Sequence, residues 1–135
     1  MASTAEEKEA IREVLAVYCY RLDEGRFGEF AELFTEDGTW DTAFGKATGR
    51  GPIAELARNI RAHGGDPPPP AVHLLSNIVI RVEGDRAEVR SHWAMIENGP
   101  EGPRIGSAGG YADVMAKPGR EWLFRYRKID RFIAP

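Results

Sequence analysis

Residues 64–70 read Gly-Gly-Asp-Pro-Pro-Pro-Pro, and the hydrophobic pattern changes period across them. Before this segment apolar side chains recur at helical spacing; after it they alternate, as on strands with two distinct faces. No regular element runs through consecutive prolines, which fix φ and lack a backbone donor. The chain is therefore expected to place helices first and a sheet second, an α+β order in which helices pack on one face of the sheet. The same segment would suit an interdomain linker, but about 65 residues on either side is small for two independent cores. A single domain over residues 1–135 is expected, with the prolines as a stiff loop near a pocket rim.

Ser3 or Thr4 can cap a first helix, with Glu6 or Glu7 completing a capping box. Ile11, Val14, Leu15, Tyr18 and Leu22 then mark one buried stripe, and Gly25 ends the helix. A second helix is expected over 27–34, with Phe27, Phe30, Leu33 and Phe34 as its apolar face. Glu36-Asp37-Gly38 reads as a turn into a short strand that reaches residue 42. Pro52 suits the first turn of a third helix, faced by Ile53, Leu56, Ala57 and Ile60 and stopping near His63. Strands are predicted over 72–82, 86–97, 104–116 and 121–133, joined by short connections containing glycine or proline, hence an antiparallel meander. Such a sheet must curl around the long helix and leave a cavity between them.

Eighteen basic and 21 acidic side chains give a net charge of −3 with no basic block, which disfavours a nucleic-acid partner. Cys19 is the only cysteine, so no internal disulfide forms, and its place in a helical apolar pattern favours a packed thiol. The first ten residues are acidic and polar, unlike a signal peptide. No apolar run approaches the roughly 20 residues of a membrane span. A soluble, cytoplasmic protein without a membrane partner is expected.

Residues 11–18, Leu22-Asp23-Glu24-Gly25, the run 33–40, His73 with Ser76-Asn77, Gly110-Tyr111-Ala112-Asp113 and the strand 122–127 together resemble the SnoaL-like branch of the nuclear-transport-factor-2-like superfamily. The resemblance covers nearly the whole chain and implies a cone-shaped α+β barrel, with three N-terminal helices on a curved, mostly antiparallel sheet. The superfamily includes dehydratases, dehydrochlorinases, isomerases, cyclases, epoxide hydrolases and non-catalytic subunits, so it implies fold more sharply than substrate. Asp23 and His73 match the Asp–His pair of the scytalone dehydratase and hexachlorocyclohexane dehydrochlorinase type. Tyr18, five positions before Asp23, matches a tyrosine of the bile-acid dehydratases. Arg127 aligns with an arginine that lines the pocket of the dehydrochlorinase-like members, and Trp40 also falls at a pocket-lining position. The resemblance further implies a homodimer or homotrimer.

The chemistry of the pair is readable without the family. Histidine's unperturbed pKa lies nearest neutrality, and a carboxylate on one ring nitrogen fixes the tautomer so that the other nitrogen can take a proton. The competing readings are a structural histidine at a strand start and a helix-end carboxylate facing water. Alternation places His73, Leu75 and Asn77 on one mixed face, opposite the apolar Val72, Leu74, Ile78 and Ile80. Trp93 and Met95 alternate with His92, which reads as part of a solvated face and stays outside the candidate set. Tyr111 shares a face with the small residues Ser107 and Gly109. In the last strand Trp122, Phe124 and Tyr126 read as an outer apolar band suited to an interface, with Arg125, Arg127 and Arg131 on the other face.

Asp41 and Thr42 do not match the base position of ketosteroid isomerases, and no convincing Asp–Arg–Asp arrangement of an epoxide hydrolase is present. Neither metal-ligand spacing nor a phosphate-binding loop appears, so no cofactor and no metal are expected. The sequence points to a cofactor-independent lyase, dehydratase-like, acting on a small hydrophobic substrate of polyketide or steroid type. The expected catalytic set is His73, Asp23, Tyr18 and Arg127, with Trp40, Asn77, Trp93, Met95 and Tyr111 binding substrate. A cyclase or isomerase of the same fold and a non-catalytic ligand-binding or assembly subunit are the alternatives.

Overall fold

The computed structural model describes residues 2–135; Met1, which the expected domain included, lies outside the described residues. Helix α1 spans Thr4–Asp23. Its start is a capping box: the Ser3 hydroxyl accepts the Glu6 amide at 3.2 Å and the Glu6 carboxylate accepts the Ser3 amide at 3.3 Å. Ile11, Leu15, Tyr18 and Cys19 form its buried face, and burial pushes the Cys19 thiol up to about 11. Gly25, at φ 73°, turns the chain into the left-handed region and ends the helix.

Helix α2 is short, Phe27–Ala31, and stops before Phe34, where the sequence pattern continues it. Pairing with a distant strand overrides the local pattern here. Strand β1, Phe34–Thr42, begins where Phe34 pairs with Phe124, whose amide donates to the Leu33 carbonyl at 2.8 Å. Gly38 sits where the two strands run closest: a Cβ there would lie 2.9 Å from the Phe124 carbonyl oxygen. A two-residue connection leads into β2, Gly45–Thr48, an edge strand too short to leave a sequence signal. Helix α3 follows over Arg50–Ala62 with Pro52 in its first turn, as expected.

Strands β3 (Ala71–Glu83), β4 (Arg86–Gly99), β5 (Gly102–Ala116) and β6 (Leu123–Ile133) form the predicted antiparallel meander. The sheet order is β2-β1-β6-β5-β4-β3, with β1 and β6 parallel. Three helices thus lie against a six-stranded, mostly antiparallel, curved open sheet. The buried cluster joins Ile11, Leu15 and Tyr18 of α1 to Phe30, Phe34, Trp40, Val89, Met115 and Phe124.

Register shifts interrupt the simple alternation. In β3 the ladder slips between Ser76 and Val79, with Asn77 at φ 54°. His73 and Leu75 therefore face inward while Asn77 leaves that face, and Ile78 and Ile80 return to it. In β6 Phe124 pairs with Met115 and Tyr126 with Val114, so Arg125 is the extra residue of a bulge. Phe124 and Arg127 consequently point into the same core. The expected outer band is corrected: Trp122 and Phe124 are 2% and 0% exposed. The exposed apolar side chains on the outer face are instead Val72, Leu74, Val79, Ile105, Phe132 and Ile133. No helix of the described residues is long and apolar enough to cross a membrane.

Candidate functional site

Three local features bring the Asp–His pair together. The left-handed Gly25 stops α1 just beyond Asp23, leaving that carboxylate at the helix end. The Arg61 guanidinium, from the last turn of α3, donates to the Leu22 and Asp23 carbonyls at 3.2 and 2.8 Å, satisfying acceptors a helix end leaves open. β3 begins directly after the prolines and places His73 opposite. Asp23 then grips His73 twice: Oδ2 accepts its backbone amide at 2.9 Å, and Oδ1 meets ring Nδ1 at 2.5 Å. A carboxylate can only accept, so Nδ1 carries a proton, and in the neutral ring Nε2 is the nitrogen with the lone pair. Nε2 has no hydrogen-bond partner among the described residues. The two side chains are 17% and 18% exposed, reachable by a ligand yet largely withdrawn from water.

The pair lies in the wall of a cavity of about 390 Å³, within the range of small-molecule sites. Tyr18, Trp40, Trp93, Met95, Ser107, Tyr111 and Ile129 line it. The inward rows of the sheet account for this: His73, Met95 and Ser107 are register neighbours, as are Leu75, Trp93 and Gly109. Trp93 is tied down by its indole N–H to the Asp130 carbonyl at 3.2 Å.

Tyr18 is fully buried, and its phenol oxygen accepts the Trp40 indole N–H at 3.0 Å. That bond leaves the phenol's own proton free for a ligand oxygen. Burial pushes the Tyr18 phenol well above its ordinary range, so it is a neutral donor at physiological pH. Tyr111 is raised by burial too.

Two expected site residues lie elsewhere. Asn77 is exposed in the β3 bulge, where its amide donates to His92 Nδ1 at 3.0 Å on the outer face. Arg127 does not reach the cavity wall. At 0% exposure its guanidinium stacks on Tyr111 and Tyr18, with centroid distances of 3.5 and 4.1 Å, and donates through Nε to Asp113 Oδ1 at 3.0 Å. Burial opposes its charge, but Asp113 holds its pKa above the ordinary value. Its positive field backs the two tyrosines that do line the cavity.

The rim contains residues that sequence reasoning missed: Phe44 in the β1–β2 turn, Ile60 and Arg61 of α3, and Glu97 and Arg131 of the sheet. Arg131 was visible only as one of a stripe of arginines, and a second bulge, at Phe132, fixes which way it points. Pro68, Pro69 and Pro70 complete the rim, where the stiff loop was expected. Among the described residues no group of three His, Cys, Asp or Glu side chains is placed to hold a metal.

Solved structures with this fold include a candidate scytalone dehydratase from Novosphingobium aromaticivorans, 28% identical, with 94% of this chain and 85% of that one covered at a TM-score of 0.77. A protein of unknown function from Mycobacterium tuberculosis is 26% identical over 93% of this chain and 71% of its own, with a TM-score of 0.82. A cystatin-like-fold protein of unknown function from Nostoc punctiforme is 21% identical, covers 100% and 98%, and superposes at a TM-score of 0.86, a likeness of fold alone. No curated protein sequence matches the chain. The family model for the SnoaL-like domain matches residues 3–128, and the chain belongs to that family.

Proposed function

We propose that this protein is a cofactor-independent lyase of the dehydratase type, acting on a small, largely apolar β-hydroxy carbonyl compound of polyketide or steroid type. The observation that carries the reading is the doubly gripped Asp23–His73 pair, with a free Nε2, in the wall of an apolar cavity. The likeness to a candidate scytalone dehydratase supports the same class of reaction.

In this reading His73 Nε2 takes the proton alpha to the substrate carbonyl. Asp23 holds the ring in the required tautomer and stabilises the imidazolium that forms. The Tyr18 hydroxyl donates to the carbonyl oxygen as it gains enolate charge, and the Trp40 indole strengthens that donor by bonding to the phenol oxygen. The electron pair then expels the β-hydroxyl, which collects the proton from His73 and leaves as water. Substrate loses H and OH, the alkene forms, and the pair returns to its starting state. Arg127 acts from behind the phenols rather than on substrate. Cyclisation or isomerisation would begin with the same abstraction.

The test is a set of four proteins assayed on a panel of β-hydroxy ketones: wild type, His73→Ala, Asp23→Asn and the double variant. His73→Ala is expected to abolish turnover, and Asp23→Asn to keep fold and binding while losing about 10²–10⁴ in rate. The losses should not add, because both residues serve one proton transfer. A ligand carrier would give small, additive changes in affinity and no turnover to lose.

A further inference from the structure

The cavity is apolar in its depth, and its charged groups stand at the mouth. Its lining holds two carboxylates, and both already have side-chain partners: Asp23 accepts the His73 amide and ring N–H, and Glu97 accepts from Arg104, whose Nε and Nη2 donate at 3.2 and 2.9 Å. It also holds two guanidinium groups, Arg61 and Arg131. Among the described residues neither has an acidic partner. Arg61 spends Nη1 on the Leu22 and Asp23 carbonyls. Arg131 lies over the Phe44 ring at 5.3 Å, and its neighbour Asp130 is engaged with Lys128.

A guanidinium at the solvent-open mouth of an apolar site contributes nothing to the binding of a wholly apolar ligand and keeps its own water. A ligand carrying its own anion changes that, because a guanidinium forks onto a carboxylate with two parallel hydrogen bonds. We infer that the rim is a recognition site for an anionic group, so that the ligand of this cavity is amphipathic: an apolar ring body between Trp40 and Trp93, and a carboxylate held by Arg131 with help from Arg61. The inference deepens the lyase reading and rests on it only in assigning the substrate to this cavity.

Binding tests it without turnover. Wild type, Arg131→Gln and Arg61→Gln would be titrated with 4-(2-naphthyl)butyrate, its amide and the corresponding amine, following tryptophan fluorescence and confirming folding by circular dichroism. The carboxylate is expected to bind wild type at least about tenfold more tightly than the amide, a difference of about 1.4 kcal/mol. The amine should be the weakest. The carboxylate preference should fall to threefold or less in Arg131→Gln, and should shrink as salt is raised, since the rim is open to solvent. Equal binding of acid and amide, preference for the amine, failure of all three to bind, or a preference unchanged in folded Arg131→Gln would each overturn the inference. The lyase reading fails separately, when the His73 and Asp23 variants leave turnover untouched; charge preference does not depend on that result.

Discussion

Arg127 brings a whole guanidinium into the core with a single hydrogen bond to protein. Its Nη1 and Nη2, Asp113 Oδ2 and Ser91 Oγ have no hydrogen-bond partner among the described residues. The stacked rings of Tyr111, Tyr18 and Phe124 supply the rest of its environment. Removing the acid strands a buried cation, so Asp113→Ala is expected to lose about 3–5 kcal/mol in urea unfolding. Burial pushes the Asp113 carboxyl up to about 6, against the pull of Arg127. The folded state therefore holds that proton more tightly than the unfolded chain does. The resulting stabilisation is fully present below the ordinary carboxyl value near 4 and is lost as pH rises through about 6. A pH series of unfolding free energies should show that fall in wild type and a flatter profile in Asp113→Asn, since every other carboxyl is common to both. Asp23, His73 and Tyr18 were open to sequence reasoning because they match the pattern of the family that the chain resembles, with the chemistry of a carboxylate–imidazole pair beside it. The placement of Arg127 behind the wall was not, since it depends on a bulge two residues away.

At the scale of elements, sequence alternation succeeded in each strand until a bulge intervened. β3 reads correctly through Leu75 and fails at Asn77; β6 fails around Arg125. Nothing in the composition of either strand marks the extra residue, because the bulge is set by how β3 and β6 curve with their neighbours. Asn77 holds its φ of 54° at modest cost because its side chain tolerates the left-handed region and donates to His92. Asn77→Gly should leave thermal stability nearly unchanged, whereas Asn77→Val should lose about 1–2 kcal/mol. Equal stability of the two variants would show that the strand can shed its bulge. α2 was drawn too long for a related reason. The Phe27–Phe34 pattern is apolar on every turn, and only partnership with β6 decides that Phe34 is strand.

Across the whole molecule, the α+β class and the β3–β6 meander followed from the period change at the prolines, while the parallel β1–β6 pair did not, because it joins distant parts of the chain. The outer face of the sheet is covered by none of the three helices and presents Val72, Leu74, Ile105, Phe132 and Ile133, between 52% and 67% exposed. Val72, Ile96 and Ile105 are register neighbours, as are Leu74, Ala94, Ala108 and Ile133, so these side chains make one contiguous patch. A second copy is the expected cover. Sedimentation should give about twice the 15.0 kDa of one chain, and Leu74→Lys should return the monomer mass without unfolding it. The β1–β6 pairing also sets an order of events during synthesis. As the chain leaves the ribosome, α1, α2 and β1 emerge early, but β1 has only β2 beside it until residues 123–133 appear. The Tyr18–Phe124 contact and the Arg127 stack wait for the same strand. A nascent fragment ending at Ala116 should therefore melt without a cooperative transition, and the protein should acquire its cavity only once β6 has emerged.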